Sequence, residues 1–171
     1  MGSWFKGFVL GIAALFGLST AGEPPPATLR PFRDASTLYV SVEILDMPGQ
    51  DLERVVDASF SLRIHATIWG GNAKAEAYRD IGYDGLHYEV RVSETGGTHR
   101  TTDKAAAWAI ASRFNRIELG PVSALRFPLA LGCKVSLSLP EDPGYDPMVV
   151  WGYKPAASYR ELDSVGLVPY Y

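Results

Sequence analysis

Histidine and cysteine side chains are the first places to look for chemistry in this chain. It contains three histidines, His65, His87 and His99, and a single cysteine, Cys133. Zinc sites ordinarily use two histidines at i, i+4 on a helix or a C-x-x-C pair, and the sequence has neither spacing. We therefore predict no metal site and no metal cofactor.

Two of the histidines suggest an alternative function. His65 and His87 lie on the polar phase of two predicted neighbouring strands, and Glu89 follows His87 on the same phase. Imidazole and carboxylate groups that converge in a cleft can act as general acid and base, or can hold a metal ion. A hydrolase or metal-assisted enzyme built on these three residues is one alternative. The simpler interpretation is that both histidines are partly exposed residues of a sheet.

Other catalytic patterns are missing from the sequence. It has no G-x-S-x-G elbow, no phosphate-binding G-x-x-x-x-G-K-[ST] loop and no G-x-G-x-x-G fingerprint. The acidic residues Asp46, Asp51 and Asp57 fit helix capping and solvation better than a pair of glycosidase carboxylates. Cys133 lies on the apolar phase of a strand, which favours a buried core residue with a raised pKa over a nucleophile. We therefore predict no catalytic residues and no cofactor.

Aromatic residues beside charged residues form the best candidate for a binding surface. The chain has 4 Trp and 9 Tyr, and several lie near the ends of predicted strands. Exposed rings with charged neighbours can bind a peptide, a glycan or another protein. The candidate surface consists of Arg63, His65, Trp69, His87, Glu89 and Arg91. The competing interpretation is that the aromatic rings pack the sheet or the C-terminal tail onto the core.

Alternation of apolar and polar residues predicts the strands that must position those side chains. A period of two is typical of a strand with one buried face. The clear strands are at 38–44, 62–68, 86–92 and 129–139. Weaker patterns predict strands at 74–81, 98–101 and 148–153. Paired glycines at 70–71 and 96–97 predict turns, and the segment from Gly82 to Gly85 predicts a break or a bulge in the strand.

Two helices are predicted between the strands. Apolar residues at helical spacing indicate a short helix at 52–59 that begins after Asp51 as its N-cap. A longer helix is predicted at 104–116, with Thr102 or Asp103 as its N-cap. Strands joined by short turns form a mostly antiparallel sheet, and we expect the two helices to pack on one of its faces. The predicted fold class is α+β, with a single domain.

The N-terminus predicts an export signal. Lys6 precedes an apolar run that ends at Leu18, and Ser19 and Ala21 supply the small residues of a cleavage site. The run has about 12 residues, whereas a membrane-spanning helix needs about 20. An uncleaved signal that anchors the chain in the inner membrane is the alternative. We predict a signal peptide at 1–21, a Pro-rich spacer at 22–34 and one α+β domain at 35–171.

Composition excludes several classes of protein and partner. The chain has 171 residues, of which 47% are hydrophobic and 20% charged, and a net charge of −3. These values exclude a disordered chain, and one cysteine excludes a disulfide scaffold. A pI near 5.6 gives no basic surface for nucleic acid. A membrane is a predicted partner only if the signal segment stays uncleaved.

The middle of the chain resembles a family of exported bacterial domains of unknown function. The resemblance rests on a helix ending at 55–58 that runs directly into a strand at 61–64, and on a later strand at 82–90. The last of these carries Tyr83, Leu86 and Tyr88. The helix and long strand that follow match the last two elements of that family. The resemblance implies a Gram-negative envelope protein, and it implies no catalytic residues.

The sequence therefore favours an exported protein of the periplasm or envelope, or a secreted one, that acts as a non-enzymatic binding or interaction module. Its expected partner is an envelope protein, a peptide or a glycan. The hydrolase described above stays open as an alternative. So does a signal-anchored accessory subunit of an envelope complex, with contacts through the Pro-rich spacer or through Tyr170 and Tyr171.

Overall fold

A computed structural model describes residues 24–47, 49–140, 147, 149–153 and 158–159. Within them the chain forms ten strands and two α-helices, and every strand pair is antiparallel. The predicted α+β fold is therefore confirmed. The predicted signal peptide and most of the C-terminal tail lie outside the described residues. No helix in the described ranges is long and apolar enough to cross a membrane.

Three strands form a small sheet in the order β1-β2-β7. They are β1 (Ala27–Arg33), β2 (Thr37–Ile44) and β7 (Arg113–Pro121). Residues 27–33, which the sequence assigns to the spacer, pair with β2 along their whole length. Proline fixes an extended backbone angle, and at the edge of a sheet its missing N–H leaves no ladder bond unmade. The Pro-rich segment is therefore extended, as expected, and its second half is an edge strand.

The strand β7 corrects the prediction that a helix continues to residue 116. The register between β2 and β7 shifts at Val40–Val42, and Arg116 in the bulge has a positive φ of 65°. The extra residue lets both Phe114 and Ile117 face the core, three positions apart instead of two. A spacing of three is helical, so the bulge made a strand resemble a helix in the sequence.

Seven strands form the large sheet, in the order β10-β8-β3-β4-β5-β6, with β9 also paired to β8. The strands are β3 (Leu62–Gly70), β4 (Ala73–Tyr83), β5 (Tyr88–Val92), β6 (Gly97–Thr101), β8 (Leu129–Ser138), β9 (Val149–Tyr153) and β10 (Ser158–Tyr159). β4 ends at Tyr83, within the predicted break at 82–85, and residues 84–87 lead into β5. One prediction was wrong here: Leu86 is 67% exposed instead of facing the core.

The two helices are short. The first, α1 (Gln50–Asp57), has Gly49 as its N-cap, so the prediction that Asp51 caps it was wrong. The second, α2 (Lys104–Ala111), is capped as predicted by Asp103, whose Oδ1 accepts a hydrogen bond from the Ala106 N–H at 3.2 Å. The first helix lies against β4, and the second lies against β4, β5, β6 and β7.

The two sheets and both helices share one hydrophobic core. It contains the alternating residues of β2, β3 and β8 together with Trp108 of α2. Cys133 is fully buried in this core, and burial raises its pKa to about 12. The prediction that Cys133 is a core residue is confirmed.

A buried arginine joins the two sheets inside this core. Arg79 of β4 is only 2% exposed, and its Nε and Nη2 donate to the backbone oxygen of Arg113 in β7 at 3.1 and 2.7 Å. Its guanidinium also forms a bidentate pair with Glu94, with Nη2 2.7 Å from Oε1. The carbon atom of that group lies 4.5 Å from the centre of the Phe114 ring. Arg79 is therefore a core residue.

Candidate ligand-binding face

The candidate site is the face of the large sheet that points away from the core. In β3 the residues 62, 64, 66 and 68 are fully buried, so the alternate residues must point to the opposite side. Those alternate residues are Arg63, His65, Thr67 and Trp69. We call this surface of β3, β4, β5 and β8 the outer face. It is polar because each of these strands presents its hydrophobic side to the core.

Trp69 is the prominent residue of the outer face. Its side chain is 41% exposed, and no other aromatic residue is among the exposed large hydrophobic residues of the described chain. It lies opposite Gly132 of β8 in the strand register. A Cβ atom added to Gly132 would meet Cε2, Cζ2 and Nε1 of the indole closer than 3.0 Å, a distance that real Cβ atoms do not reach. The ring therefore lies over the backbone of β8 at Gly132, and part of the residue remains exposed to solvent.

Charged groups surround the Trp69 ring. Lys74 lies opposite Trp69 in β4, and its Nζ is 2.5 Å from a carboxylate oxygen of Glu76. On the β8 side Lys134 lies two residues from Gly132 on the same face, is exposed, and has no ion pair with any described residue. The platform formed by these residues, which we call the Trp69 platform, combines one flat apolar surface with donors and acceptors on both sides. It consists of Thr67, Trp69, Lys74, Glu76, Gly132 and Lys134.

His65 borders the Trp69 platform and is partly buried. Burial is the main cause that lowers its pKa, although the nearby Glu76 carboxylate, 3.4 Å from its Nε2, acts in the opposite direction. The pKa of Glu76 is itself lowered, chiefly by its hydrogen bond from Lys74. His65 is therefore neutral at neutral pH, and the platform does not gain a third positive charge there.

Arg63 is held by neighbouring side chains. Its Nε and Nη2 donate to the two carboxylate oxygens of Asp80 at 2.6 and 2.8 Å. Its guanidinium also lies over the Tyr78 ring, 4.4 Å from the ring centre. Bidentate geometry and ring stacking fix the orientation of this side chain. Arg63 thus forms an ordered charged border to the outer face.

Glu89 and Arg91 lie further along the same face. They line a shallow cavity of about 270 Å³ over Gly82, where β4 presents no side chain. Ser61 and Asp80 complete its walls on the side of β3 and β4. Neither Glu89 nor Arg91 is paired with a charged group in the described parts of the chain. This cavity is smaller than the pockets that usually hold drug-sized ligands.

The structure does not bring His65, His87 and Glu89 together. His65 lies opposite Tyr78 of β4, whereas Glu89 lies opposite Gly82 of the same strand. Four residues along the strand and two strand spacings correspond to roughly 16 Å between their Cα atoms. His87 lies further in the same direction, in the turn before β5. These three residues therefore do not share a cleft.

His87 belongs instead to a turn organised by Asp84. The Oδ1 atom of Asp84 accepts hydrogen bonds from the backbone N–H groups of Leu86 and His87 at 2.9 and 2.7 Å. The His87 bond, the Leu86 bond and the Arg100 guanidinium, in that order, lower the Asp84 pKa to about 2. Within the described residues, no three metal-ligating side chains lie close enough together to hold an ion.

The other aromatic residues have mostly structural roles. Tyr88 is buried and its hydroxyl donates to Asp57 at 2.8 Å, while Tyr83 stacks on it with ring centres 4.5 Å apart. Trp151 and Tyr153 pack against the core. The side chain of Tyr159 lies outside the described residues. Among the described aromatic residues the two interpretations therefore apply to different rings: those named above pack, and Trp69 is exposed to solvent.

Sequence reasoning missed Gly132, which the platform requires. A lone glycine inside a strand indicates a close approach, but the sequence does not say which residue approaches. A scan against protein-family models and searches of curated proteins and of solved structures find no match to this chain. The resemblance to exported bacterial domains therefore stays a prediction, and the function must be argued from the geometry of the outer face.

Proposed function

We propose that the protein is an exported, non-enzymatic binding module of the cell envelope, and that its ligand is a glycan that stacks on Trp69. The observation that carries the proposal is the indole ring of Trp69, which packs over Gly132 and remains partly exposed. An aromatic ring exposed in this way offers a large rigid contact area at a small cost in side-chain entropy. Export is supported by the signal-like pattern at 1–21.

A sugar ring suits this surface better than an extended peptide. Trp69 lies on β3, between β8 and β4, so both edges of its strand are already paired. A peptide cannot add there as a further strand, because β-augmentation needs a free sheet edge. The C–H face of a pyranose matches the apolar face of an indole, and its rim of hydroxyls needs donors and acceptors. Lys74, Glu76 and Thr67 supply these beside the ring.

The charges of the platform favour an acidic glycan over a neutral one. Lys74 is neutralised by Glu76, which leaves the Lys134 ammonium as the unmatched charge of the Trp69 platform. A carboxylate or phosphate on the sugar would pair with it. The contact is exposed, so this charge contributes less than the ring does, and it is screened by salt.

The binding test is affinity electrophoresis of the protein in gels that contain alginate, an acidic polysaccharide, or dextran, a neutral one. We expect retardation in alginate, loss of retardation in Trp69→Ala, and partial retention in Trp69→Phe. Gly132→Val should also weaken retardation, because the valine side chain would displace the indole of Trp69 from its position over residue 132. The matched control is Leu86→Ala, which removes an exposed apolar residue outside the platform.

Two results would count against the proposal. Equal retardation of wild type and Trp69→Ala would show that Trp69 is not part of the binding site. No retardation of the wild type in either gel would show that the ligand is not a glycan of either kind. Export is tested separately by N-terminal sequencing of the protein recovered from the periplasmic fraction. The expected first residue is Gly22, and a chain that still begins at Met1 in the membrane fraction would support the anchored subunit instead.

A further inference from the structure

His65 is a histidine that can change the charge beside the Trp69 platform. It lies on the same face of β3 as Trp69, four residues away, which corresponds to roughly 13 Å between the two Cα atoms. Thr67 lies between them on this face, and Lys134 lies opposite Thr67 in β8. A glycan that stacks on Trp69 and extends along β3 over Thr67 therefore approaches both Lys134 and His65.

One carboxylate, that of Glu76, contacts both a lysine and this histidine. Its Oε1 lies 2.5 Å from Nζ of Lys74, and its Oε2 lies 3.4 Å from Nε2 of His65. While His65 is neutral, the charges of Lys74 and Glu76 cancel. When His65 is protonated, two cations share one carboxylate, and these three residues together carry a positive charge.

Other strands also present side chains to His65. It lies opposite Tyr78 in β4 and opposite Ser136 in β8, and both of these side chains are hydroxyl-bearing. The next residue of the outer face on β3 is Arg63, whose guanidinium is paired with Asp80. The carboxylates of Asp80 and Glu76 are thus each already paired with a cation, so protonation of His65 adds positive charge to this part of the outer face.

Opposing influences set the pH at which His65 gains its proton. Burial is the main cause that lowers its pKa below the ordinary value of 6.5, whereas the Glu76 carboxylate raises it. The cations of Arg63 and Lys74 lower the pKa as well. His65 therefore changes from neutral to charged as the pH falls below 6.5, and the charge of the platform border changes with it.

We propose that protonation of His65 strengthens the binding of an acidic glycan at the Trp69 platform, so that the site binds more tightly in mildly acidic solution than at neutral pH. Because this regulation acts on the proposed glycan site, it rests on the proposed function. The imidazolium attracts carboxylates of the same glycan that Lys134 attracts. The expected gain in affinity is about two- to fivefold, as for a partly exposed charge pair.

The pH dependence is measured by fluorescence anisotropy of a labelled alginate hexasaccharide that is titrated with the protein at pH 7.5 and at pH 5. The sugar carboxylates stay ionised at both values, because carboxyl groups titrate near pH 4 or below. We expect the wild type to bind about two- to fivefold more tightly at pH 5. His65→Gln, which keeps a polar side chain that does not titrate, should lose this difference.

Two further variants sharpen the assignment to His65. His99→Gln is the matched control and should keep the wild-type pH dependence, because His99 is an exposed histidine of β6, outside the Trp69 platform. Glu76→Gln should bind more tightly than the wild type at pH 7.5, because Lys74 loses the carboxylate that neutralises it. The same variant should show a smaller change between the two pH values, because His65 loses the group that raises its pKa.

A measurement on the wild-type protein tests the same coupling without relying on a variant for the readout. The Cε1–H signal of His65 in a proton NMR titration reports its protonation, and comparison with His65→Gln and His99→Gln assigns it. Linkage is reciprocal, so saturating hexasaccharide should raise the pKa of His65 if protonation strengthens binding.

The possible outcomes separate this proposal from the glycan site itself. No binding of the hexasaccharide at either pH would overturn both. Binding that is lost in Trp69→Ala, but that responds to pH equally in the wild type and in His65→Gln, would overturn the role of His65 alone. A pKa of His65 that the hexasaccharide leaves unchanged would also overturn it. Circular dichroism at both pH values establishes that each variant is folded.

Discussion

Two arginines on adjacent strands of the large sheet form the same kind of site on opposite faces. Arg79 pairs with Glu94 and stacks on Phe114, and Arg63 pairs with Asp80 and stacks on a tyrosine. The ring distances are similar, 4.5 and 4.4 Å, although Arg79 pairs through Nη1 and Nη2 and Arg63 through Nε and Nη2. The exposures differ: the Arg79 side chain is 2% exposed and that of Arg63 is 28% exposed.

The difference shows that one local geometry can serve two purposes. The guanidinium of Arg79 also donates hydrogen bonds to backbone oxygens, including that of Arg113 in the other sheet. Arg79 therefore connects the two sheets. Arg63 has water on one side, and its pair arranges the charged border of the outer face. A buried pair is costly to break because one charge remains without solvent, whereas an exposed charge is rehydrated.

The largest effect is expected for Arg79→Met. The substitution leaves the Glu94 carboxylate without its cation and removes two donors from the backbone oxygen of Arg113. We expect the free energy of unfolding to fall by about 3–5 kcal/mol. Urea unfolding monitored by circular dichroism measures this change. The double variant Arg79→Met/Glu94→Gln should recover part of the loss. A loss below about 1 kcal/mol in the single variant would contradict the comparison, because the buried pair would then be no costlier to break than an exposed one.

Arg63→Met is the matched substitution on the outer face, and its effect should be smaller. Asp80 is then left without its bidentate partner and is itself only 11% exposed, but it borders the shallow cavity of the outer face, from which water can reach it. We expect the free energy of unfolding to fall by about 1 kcal/mol or less. A double-mutant cycle with Asp80→Asn isolates the energy of the pair. A loss as large as that of Arg79→Met would contradict the comparison.

The smallest effect is expected from an exposed carboxylate, that of Asp84 in the turn before β5. Its pKa is lowered from an ordinary value of 3.8 to about 2, first by the hydrogen bond from the His87 N–H. A lowered pKa stabilises the fold at pH values above the ordinary pKa, and this stabilisation is lost as the pH falls from 3.8 to about 2. Unfolding of wild type and Asp84→Asn should therefore differ above pH 4 and converge near pH 2. A constant difference over this range would exclude the carboxylate as the cause.

Much of the fold was predictable because one face of each clear strand is buried. The alternation at 38–44, 62–68 and 129–139 follows directly from that burial, and the structure has strands there. The first residues of the strand at 113–121 were predicted as the end of the helix at 104–116, because a bulge changes the apolar spacing from two to three. The pairing of the Pro-rich segment with β2 depends on a partner strand, which no local pattern reveals.

The site was predictable only in its residue types. The pattern placed Arg63, His65 and Trp69 on the polar phase of one strand, and they do share a face. It could not show that Trp69 rests on Gly132, because this contact joins distant parts of the chain. The burial of Arg79 did leave a signal. Arg79 occupies the same phase as Ala77 and Ile81, and a charged residue on an apolar phase indicates a buried pair.

The contact between Trp69 and Gly132 also restricts how β3 and β8 can align during folding. A shift by one residue would turn the apolar side of one strand toward solvent. A shift by two would keep the faces but place Ala130 or Lys134 under the indole, where a side chain would force the ring away. Only the native alignment offers a position without a side chain. The contact between Trp69 and Gly132 thus favours the native register of β3 and β8 over registers shifted by one or two residues.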